Sequence, residues 1–438
     1  MNQLFKKQIP YYSESLHWFL ALADHSHAVW LDSNGSARGR FDILAADPEQ
    51  WHTCDDDDPH EFIRALRQSL RSAKITVTPD IPFCGGLIGL LGYEFGLQLV
   101  GLRESNSNSP TAPTAEAGWF NWAIVQDHLK KNCTFVSLLS DKQSESVLNN
   151  ILSAKPEEKE AFQLQQDMQA NLDWPQYQSA LDSVNEYILD GDCYQINFSK
   201  RYQAPFIGDP RQLYAQLREA TKAPFSAYFS GSSGDTLSLS PERFVRLSGR
   251  EVMTQPIKGT SARDSDPKTD QANADQLRNS SKDKAENLMI VDLLRNDFGR
   301  VCVPGSIAVP ELFELQSFAM VHHLVSTITG KLDEDKDALD LLAAVFPGGS
   351  ITGAPKHRAM QIIQELEPNE RDVYCGSIFY LSADGNLDSN ILIRSLLCRN
   401  QHVYCWGGGG IVLDSTAESE WQEIDNKIGR LLSVLRND

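Results

Sequence analysis

Two glutamates and a lysine stand at helical spacing near the end of the chain. Glu420, Glu423 and Lys427 are three and four residues apart, so a helix would place all three on one face. Two carboxylates one turn apart repel each other unless a cation lies between them, and Mg²⁺ binds through carboxylate oxygens. A solvated acidic helix face is the commoner outcome of this spacing, so both interpretations stay open on this observation alone.

Lys258 stands in the stretch Pro-Ile-Lys-Gly-Thr, after an apolar residue and before a glycine. A lysine at the end of a strand in this setting can lose part of its hydration. Desolvation lowers the pKa of the ammonium and frees the amine to act as a nucleophile. The commoner alternative is a surface lysine in a turn, and the position alone does not decide between them.

Two further acids lie in stretches of unusual composition. Glu286 opens a thick apolar run that continues to Leu294, and Glu242 stands in Ser-Pro-Glu-Arg-Phe beside Arg243. An isolated acid beside an arginine is usually half of an ion pair. Both acids become candidates for chemistry only in combination with other residues.

Glycine runs are the next candidates. The four glycines 407–410 suit a place where N–H groups converge on an anion, or a flexible turn. The stretch 347–356 is superficially similar to a phosphate-binding loop, but Gly353 is followed by Ala-Pro rather than Lys-Ser/Thr. Pro355 suits the first turn of a helix better. We therefore reject a nucleotide-binding function.

The pattern of apolar residues predicts helices and strands that mix without strict βαβ alternation, which favours the α+β class. His322 and His323 are adjacent in a predicted strand, so they point in opposite directions and are poorly placed to share a metal. In the last helix, Ser415 and Glu418 form a predicted capping box. Predicted helices cover 177–189, 282–296, 336–345, 355–367 and 416–436, and predicted strands cover 236–240, 321–330, 376–381 and 390–396.

Two polar stretches interrupt the first part of the chain. Residues 103–117 are typical of a surface loop, and residues 141–175 contain too few apolar side chains for a core stripe. We place a boundary near 170–178, which predicts an N-terminal region at 1–172 and a second domain at 173–438.

The chain of 438 residues carries a formal net charge of −19 and has 41% hydrophobic residues, enough for a sizeable core. Such a charge disfavours nucleic acid and anionic membranes as partners. An anionic substrate would need cations placed locally. The eight cysteines form no CxxC pair, and no apolar run is long enough to span a bilayer, so we expect reduced thiols and a cytoplasmic location.

Many stretches together resemble, in one order, the chorismate-utilising enzymes. The resemblance is strongest from about 177 to 428, and it implies two interleaved subdomains, antiparallel β-sheets packed as a sandwich with helices outside, and an active site in the central cleft. The matching stretches are GDCYQINFS, SLSPERF, QPIKGT, AENLMIVDLLRNDFGRV, VHHLVSTI, FPGGSITGAPKHRAM, YCGSI, ILIRSL, GGGGIVLDS and ESEWQEIDNK.

The resemblance implies a role for each candidate residue. Glu286 and Glu423 would hold Mg²⁺, with Glu420 at a further metal-associated position, and His323 matches an active-site histidine. The implied contacts to chorismate are Gly259, Thr260, Tyr374, Arg394, Gly408, Gly409 and Gly410.

Position 258 separates members of the family, because anthranilate synthases have PIAGT where this chain has PIKGT. The resemblance implies that Lys258 attacks C2 of chorismate while Glu242 protonates the departing C4 hydroxyl. Ammonia from a glutamine amidotransferase partner then enters at C4 and gives 4-amino-4-deoxychorismate, a precursor of 4-aminobenzoate and folate. The alternatives are an anthranilate synthase component I and a non-catalytic subunit that binds chorismate or tryptophan.

A second site is implied in the N-terminal region. The segment 29–33 resembles a strand that binds tryptophan in this family, although its sequence, VWLDS, differs from the usual LLES type. The residues implied for this pocket are Ser33, Arg38, Gly39, Arg40, Phe41, Pro224, Phe225 and Ser226.

Overall fold

The computed structural model describes residues 4–36, 39–55, 58–71, 80–103, 112–155, 159–318 and 321–436. Within these ranges the chain forms two large antiparallel sheets with helices between the strands. None of the described helices is long and apolar enough to cross a membrane. All eight cysteines are buried and free, as the sequence predicts.

The strands, in chain order, are β1 (Phe5–Ile9), β2 (Val29–Asp32), β3 (Phe41–Ala45), β4 (Gln50–Cys54), β5 (Gly86–Leu91), β6 (Ala115–Phe120), β7 (Trp122–Asp127), β8 (Asn132–Ser137), β9 (Gln163–Leu164), β10 (Gln169–Ala170), β11 (Gln195–Ile207), β12 (Phe225–Gly231), β13 (Gly234–Ser240), β14 (Arg243–Ser248), β15 (Glu251–Thr254), β16 (Ile257–Ala262), β17 (Ala308–Ser317), β18 (Val321–Lys331), β19 (Gly353–Ala354), β20 (Ser377–Ser382), β21 (Leu387–Asn390), β22 (Ser395–Arg399) and β23 (His402–Ile411).

The helices are α1 (Leu16–Ala21), α2 (Pro59–Arg71), α3 (Tyr93–Leu99), α4 (Asp141–Ser153), α5 (Trp174–Leu189), α6 (Pro210–Thr221), α7 (Pro267–Asn279), α8 (Ser281–Gly299), α9 (Ala338–Val345), α10 (Lys356–Leu366) and α11 (Ala417–Arg436). A short 3₁₀ turn covers Gly349–Ile351.

Each sheet combines strands from the beginning and the end of the chain. The first sheet has the order β1-β8-β7-β3-β2-β12-β13-β22-β23-β11-β10, with β9 and β19 also paired to β11. The second has the order β16-β18-β15-β14-β21-β20-β5-β6-β4, with β17 paired to β18. The predicted α+β class and the antiparallel sandwich are confirmed. Residues 1–172 and 173–438 share both sheets, so the two regions are interleaved in space.

Local sequence explains the helices that carry the site. The apolar run of α8 buries Ile290, Val291 and Leu294 against the sheet, as the sequence predicts. The side chain of Asp337 accepts hydrogen bonds from the backbone N–H groups of residues 339 and 340, which caps α9 two residues after the start of the predicted helix 336–345. The other predicted helices also occur, with ends that differ by a few residues.

Four expectations about local structure are wrong in whole or in part. Residues 141–153 form α4, which buries Leu148 and Ile151 although its other side chains are mostly polar. The second strand of the predicted hairpin is 387–390 rather than 390–396. Thr416, not Ser415, caps α11, because the Thr416 hydroxyl accepts from the backbone of Ser419. Of the predicted loop, 115–117 lies in β6, and 104–111 lies outside the described residues.

A buried ion pair joins strand β2 to helix α6. The Arg218 Nε donates to Asp32 Oδ2 at 2.8 Å, and both side chains are almost fully buried. Removing one partner of such a pair leaves an uncompensated charge, which costs about 3–5 kcal/mol. The pair therefore links residues 1–172 to residues 173–438.

We predict that Arg218→Met lowers the free energy of unfolding by about 3–5 kcal/mol, because the Asp32 carboxylate stays buried and loses its partner. Arg295→Met is the control, because the exposed Arg295–Asp292 pair should contribute about 0–1 kcal/mol. Denaturant unfolding followed by circular dichroism measures both variants. Equal stability losses in the two variants would contradict this assignment.

Candidate active site

Helix α11 packs on the face of the four-glycine strand β23. The glycine part of β23 pairs along its edge with β11. A Cβ on Gly409 would lie 3.0 Å from Glu420 Oε2 and 3.7 Å from Glu423 Oε1 and Lys427 Nζ. The glycine therefore lets three charged side chains of α11 approach the backbone of β23. The one-face arrangement predicted for Glu420, Glu423 and Lys427 is confirmed.

The two glutamates of α11 have different environments. Glu420 is buried, and the Ser415 hydroxyl donates to its Oε1 at 2.7 Å, while Oε2 is buried without a hydrogen bond to any residue that the structure describes. Burial raises the pKa of Glu420. Burial also acts to raise the pKa of Glu423, but Lys427, 2.6 Å away, together with the charges of Lys282 and Lys258, lowers that pKa.

A third carboxylate comes from α8. Glu286 is half-buried, and burial raises its pKa, with the charge of Glu423 adding to the effect and that of Lys258 opposing it. No three His, Cys, Asp or Glu side chains in the described part of the chain are arranged as metal ligands. The unpaired buried oxygen of Glu420 and the all-carboxylate donor set nevertheless suit a hard cation such as Mg²⁺.

Lys258 lies in β16, opposite Leu324 of β18, and an irregularity in the pairing follows it at Gly259. Gly259 has a φ of +78°, and a Cβ there would lie 2.9 Å from the Asp283 side chain, so this position requires a glycine. The Lys258 Nζ donates to the backbone carbonyl of Ser350 at 3.2 Å. Lys258 is half-buried inside the cleft and is not a surface lysine in a turn.

The charges around Lys258 act in both directions on its ammonium. Burial lowers the pKa of Lys258, and the Lys427 ammonium adds to this shift. The carboxylates of Glu286, Glu242 and Glu423 oppose it. Because the effect of burial outweighs that of the carboxylates, the Lys258 ammonium loses its proton more readily than the ammonium of an exposed lysine.

Glu242 follows β13 and is buried. It does not pair with its neighbour Arg243, which instead donates to Asp388 at 2.8 Å. The Ser350 hydroxyl donates to Glu242 Oε1 at 3.1 Å. The cleft therefore holds a buried carboxyl group linked through Ser350 to Lys258, an arrangement typical of an acid and a nucleophile acting on one substrate.

His323 and Thr260 face each other across β18 and β16. The Thr260 Oγ1 lies 2.9 Å from His323 Nδ1, and the imidazole is buried beside the ring of Phe318. His322 makes separate contacts with Ser317 and Asp270. The two histidines thus point to different surroundings, as the sequence predicts.

Tyr374 and Arg394 complete the predicted substrate contacts. The Tyr374 hydroxyl would lie 2.7 Å from a Cβ on Gly408, and its ring stacks on Trp406. Arg394 has a φ of +52°, and burial lowers the pKa of its guanidinium. No hydrogen bond or ion pair joins this guanidinium to another residue in the described ranges, so it suits an anionic group from outside the chain.

Sequence reasoning missed three polar residues near the site. Two lie on β11 beside the glycine strand, and one lies in the 3₁₀ turn Gly349–Ile351. Gln195 and Asn197 are buried on one face of β11, each with a side-chain oxygen that no described residue hydrogen-bonds, and Asn197 pairs with Gly410. Ser350 contacts both Glu242 and Lys258. Alternation along β11 could have revealed that residues 195 and 197 share a face, whereas nothing local marks Ser350.

A second cavity of about 600 Å³ lies between the two sheets, away from Lys258. The Ser33 hydroxyl, which lines it, donates to the buried Asp42 at 2.6 Å. Arg38 lies outside the described residues. The other residues predicted for the tryptophan pocket all line this cavity: Ser33, Gly39, Arg40, Phe41, Pro224, Phe225 and Ser226.

The family model for chorismate binding enzymes matches residues 26–433. The chain therefore belongs to the chorismate binding enzyme family, and it is an enzyme that acts on chorismate. It is 46% identical over 413 residues to aminodeoxychorismate synthase component 1 of Escherichia coli K12, covering 90% of both chains. It is 42% identical to the protein with the same description from Salmonella typhimurium LT2, covering 98% of each.

More distant relatives have other activities. Anthranilate synthase component 1 of Bacillus caldotenax is 33% identical, over 95% of this chain and 88% of the relative. A crystal structure of anthranilate synthase component I from Streptococcus pneumoniae TIGR4 superimposes with a TM-score of 0.78 at 30% identity, covering 90% of this chain and 92% of that one. The menaquinone-specific isochorismate synthase of Escherichia coli shares the fold, with a TM-score of 0.76 at 20% identity over 99% of this chain and 94% of that one.

We predict that Gly409→Ala lowers the turnover of chorismate at least about ten-fold, because the added Cβ would displace the Glu420 carboxylate. Gly429→Ala is the matched control, since a Cβ at that position of α11 meets nothing within 4 Å. Steady-state kinetics and thermal unfolding of both variants test this. Unchanged turnover in Gly409→Ala would show that the close approach has no role in the reaction.

Proposed function

We propose that this enzyme aminates chorismate at C4 and forms 4-amino-4-deoxychorismate. The observation that carries the proposal is Lys258, a half-buried amine in the cleft that is linked through Ser350 to the carboxyl group of Glu242. Relatives described as aminodeoxychorismate synthase component 1 are 42–46% identical to this chain, above the 33% of the Bacillus caldotenax anthranilate synthase, and this supports the same choice.

In the first step the neutral amine of Lys258 attacks C2 of chorismate. The electrons of the two ring double bonds move towards C4, and the C4–O bond breaks. Glu242 in its protonated form gives its proton to the departing hydroxyl, which leaves as water. The lysine is then joined covalently to C2, and Glu242 is a carboxylate.

In the second step ammonia attacks C4, and the electrons return through the ring to expel the Lys258 nitrogen from C2. The Glu242 carboxylate takes a proton from the incoming ammonium group and is ready for the next cycle. The sum is chorismate plus ammonia giving 4-amino-4-deoxychorismate plus water. The enolpyruvyl group stays in place, and the ring is not aromatised.

Binding of the substrate dianion needs positive charge in a chain whose net charge is −19. Arg394, with no partner among the described side chains, would bind one carboxylate, helped by N–H groups of the glycine strand 408–410. Gly259, Thr260 and Tyr374 would line the ring, and His323 would orient Thr260 through their 2.9 Å contact.

Glu286, Glu420 and Glu423 would hold Mg²⁺. When bound, this ion supplies positive charge to the second carboxylate of the substrate. The unpaired Glu420 oxygen supports its assignment as a ligand. Lys427, which holds Glu423 at 2.6 Å and donates to the Gly408 carbonyl, would keep that carboxylate against the glycine strand.

Three further parts of the proposal concern the partner protein, the use of the product and a second ligand. A glutamine amidotransferase would supply the ammonia, because the sequence has no glutaminase signature of its own. The product would serve 4-aminobenzoate and folate synthesis in the cytoplasm. Tryptophan would occupy the cavity between the sheets, which the predicted residues Ser33, Phe41 and Phe225 line.

The product of the purified enzyme with chorismate, Mg²⁺ and an ammonium salt tests the proposal. We expect 4-amino-4-deoxychorismate by chromatography and mass spectrometry, and no product when Mg²⁺ is chelated or when glutamine replaces ammonium. Fluorescent anthranilate as the main product would instead identify an anthranilate synthase.

The nucleophile is tested by replacement and by trapping. We predict that Lys258→Ala lowers C4 amination by at least about a hundred-fold, with any residual activity shifted towards C2. Lys268→Ala, an exposed lysine of α7, is the control and should keep full activity. In wild-type protein incubated with chorismate without ammonia, mass spectrometry should find an adduct of chorismate minus water on Lys258. Full C4 activity in Lys258→Ala would refute the nucleophile.

A further inference from the structure

Ser350, in the 3₁₀ turn Gly349–Ile351, contacts both groups that the proposed reaction uses. Its hydroxyl donates to Glu242 Oε1 at 3.1 Å, and its backbone carbonyl accepts from Lys258 Nζ at 3.2 Å. The residue is buried, with 7% of its surface exposed. Ser350 thus bridges an acid that follows β13 and an amine on β16, although it lies 108 and 92 residues further along the chain.

The turn around Ser350 is held from several sides. The Thr352 hydroxyl donates to the Gly348 carbonyl at 3.1 Å. A Cβ on Gly349 would lie 2.6 Å from the Leu293 side chain, so the turn packs directly on helix α8. Such close packing leaves the Ser350 hydroxyl and carbonyl little freedom to move.

A buried ion pair reinforces the same turn. Arg371 donates to the Ile351 carbonyl at 3.1 Å and is paired with Glu367 at 2.7 Å, with both side chains almost fully buried. Glu367 in turn accepts from the backbone and the hydroxyl of Ser199 on β11. The turn is therefore tied to the strand that borders the glycines of the cleft.

We propose that Ser350 is a positioning residue that decides which oxygen of Glu242 carries the proton for the C4 hydroxyl. A carboxyl oxygen that accepts the Ser350 hydrogen bond is disfavoured as the protonated one, so the proton of the acid resides on Oε2. This inference rests on the proposed function, in which Glu242 is the general acid. The hydroxyl acts through Glu242, and Ser350 needs no contact with the substrate.

The carbonyl of Ser350 has a complementary effect on Lys258. A neutral amine still has two N–H groups, and one of them can keep the bond to this carbonyl. With that N–H fixed, the lone pair of the amine has a restricted direction, which favours attack on C2. A single turn thereby aligns the proton donor and the nucleophile relative to each other.

The test compares Ser350→Ala with Ser350→Thr. Alanine removes the hydroxyl but keeps the carbonyl for Lys258, whereas threonine keeps both. We expect Ser350→Ala to lower kcat about 10- to 100-fold with less than about a three-fold change in the KM for chorismate, because general acid catalysis depends on alignment. Threonine should restore kcat to within about three-fold of the wild type. Thermal unfolding confirms that each variant is folded.

A double-mutant cycle separates positioning from a general structural effect. Glu242→Gln has no proton to deliver, so adding Ser350→Ala to it should cause less than about a two-fold further loss in single-turnover rate. If the two losses multiply, or if Ser350→Ala raises only KM or leaves kcat unchanged, the positioning role is overturned. A variant that does not fold would be replaced by Ser350→Cys, which keeps a small side chain and should still lower kcat.

The result of the double-mutant cycle does not depend on which ring carbon receives nitrogen. Amination at C2 also requires the C4 hydroxyl to leave, so the cycle can be read on whichever aminated product forms. Anthranilate from the wild type would remove the proposed function and leave the role of Ser350 to be decided by the cycle. If the wild type forms the C4 product and the losses of Glu242→Gln and Ser350→Ala multiply, the proposed function stands and the positioning role of Ser350 is overturned.

Discussion

The close approach of helix α11 to the glycine strand β23 is the constraint on which the rest of the cleft depends. Side chains at these positions of the strand would push the helix outward, as the 3.0 Å between a Cβ on Gly409 and Glu420 Oε2 shows. With glycines in place, the carboxylates of α11 lie close to the backbone of β23, and the charge of Glu423 acts on the amine of Lys258. Charge is therefore concentrated at the one place where the strand has no side chains.

The chain carries a net charge of −19, but the cleft holds both acids and lysines, whose charges partly cancel. Lys258 lies near Glu286, Glu242 and Glu423, whose carboxylates favour the charged form of its ammonium, and Lys427 pairs with Glu423. Burial opposes them, and for Lys258 burial is the larger effect. A cation bound by the acids would reduce their effect on the amine, and metal occupancy would then influence how readily the proposed nucleophile becomes neutral.

Much of this arrangement could be predicted from the sequence, because periodicity identifies α8, α9, α10 and α11 and the resemblance identifies the residues that meet in the cleft. Residues that act through their backbone or through long-range packing could not be predicted from the sequence. Ser350 is an ordinary serine in a glycine-rich stretch, and only the fold brings it to Glu242 and Lys258. Helix α4 was missed for a different reason, because two buried apolar residues are enough to dock a mostly polar helix and give only a weak sequence pattern.

The interleaving of the two sheets has a consequence for how the chain reaches this structure. Strand β5 pairs with β20 through contacts such as Leu91 with Ser377, and β2 pairs with β12, so early strands need partners made much later. Pairings so distant in sequence form slowly and leave strand edges open in the meantime. On the ribosome, the early strands can pair into two partial sheets, β1-β8-β7-β3-β2 and β5-β6-β4, whose edges at β2 and β5 would need protection from aggregation until β12 and β20 arrive.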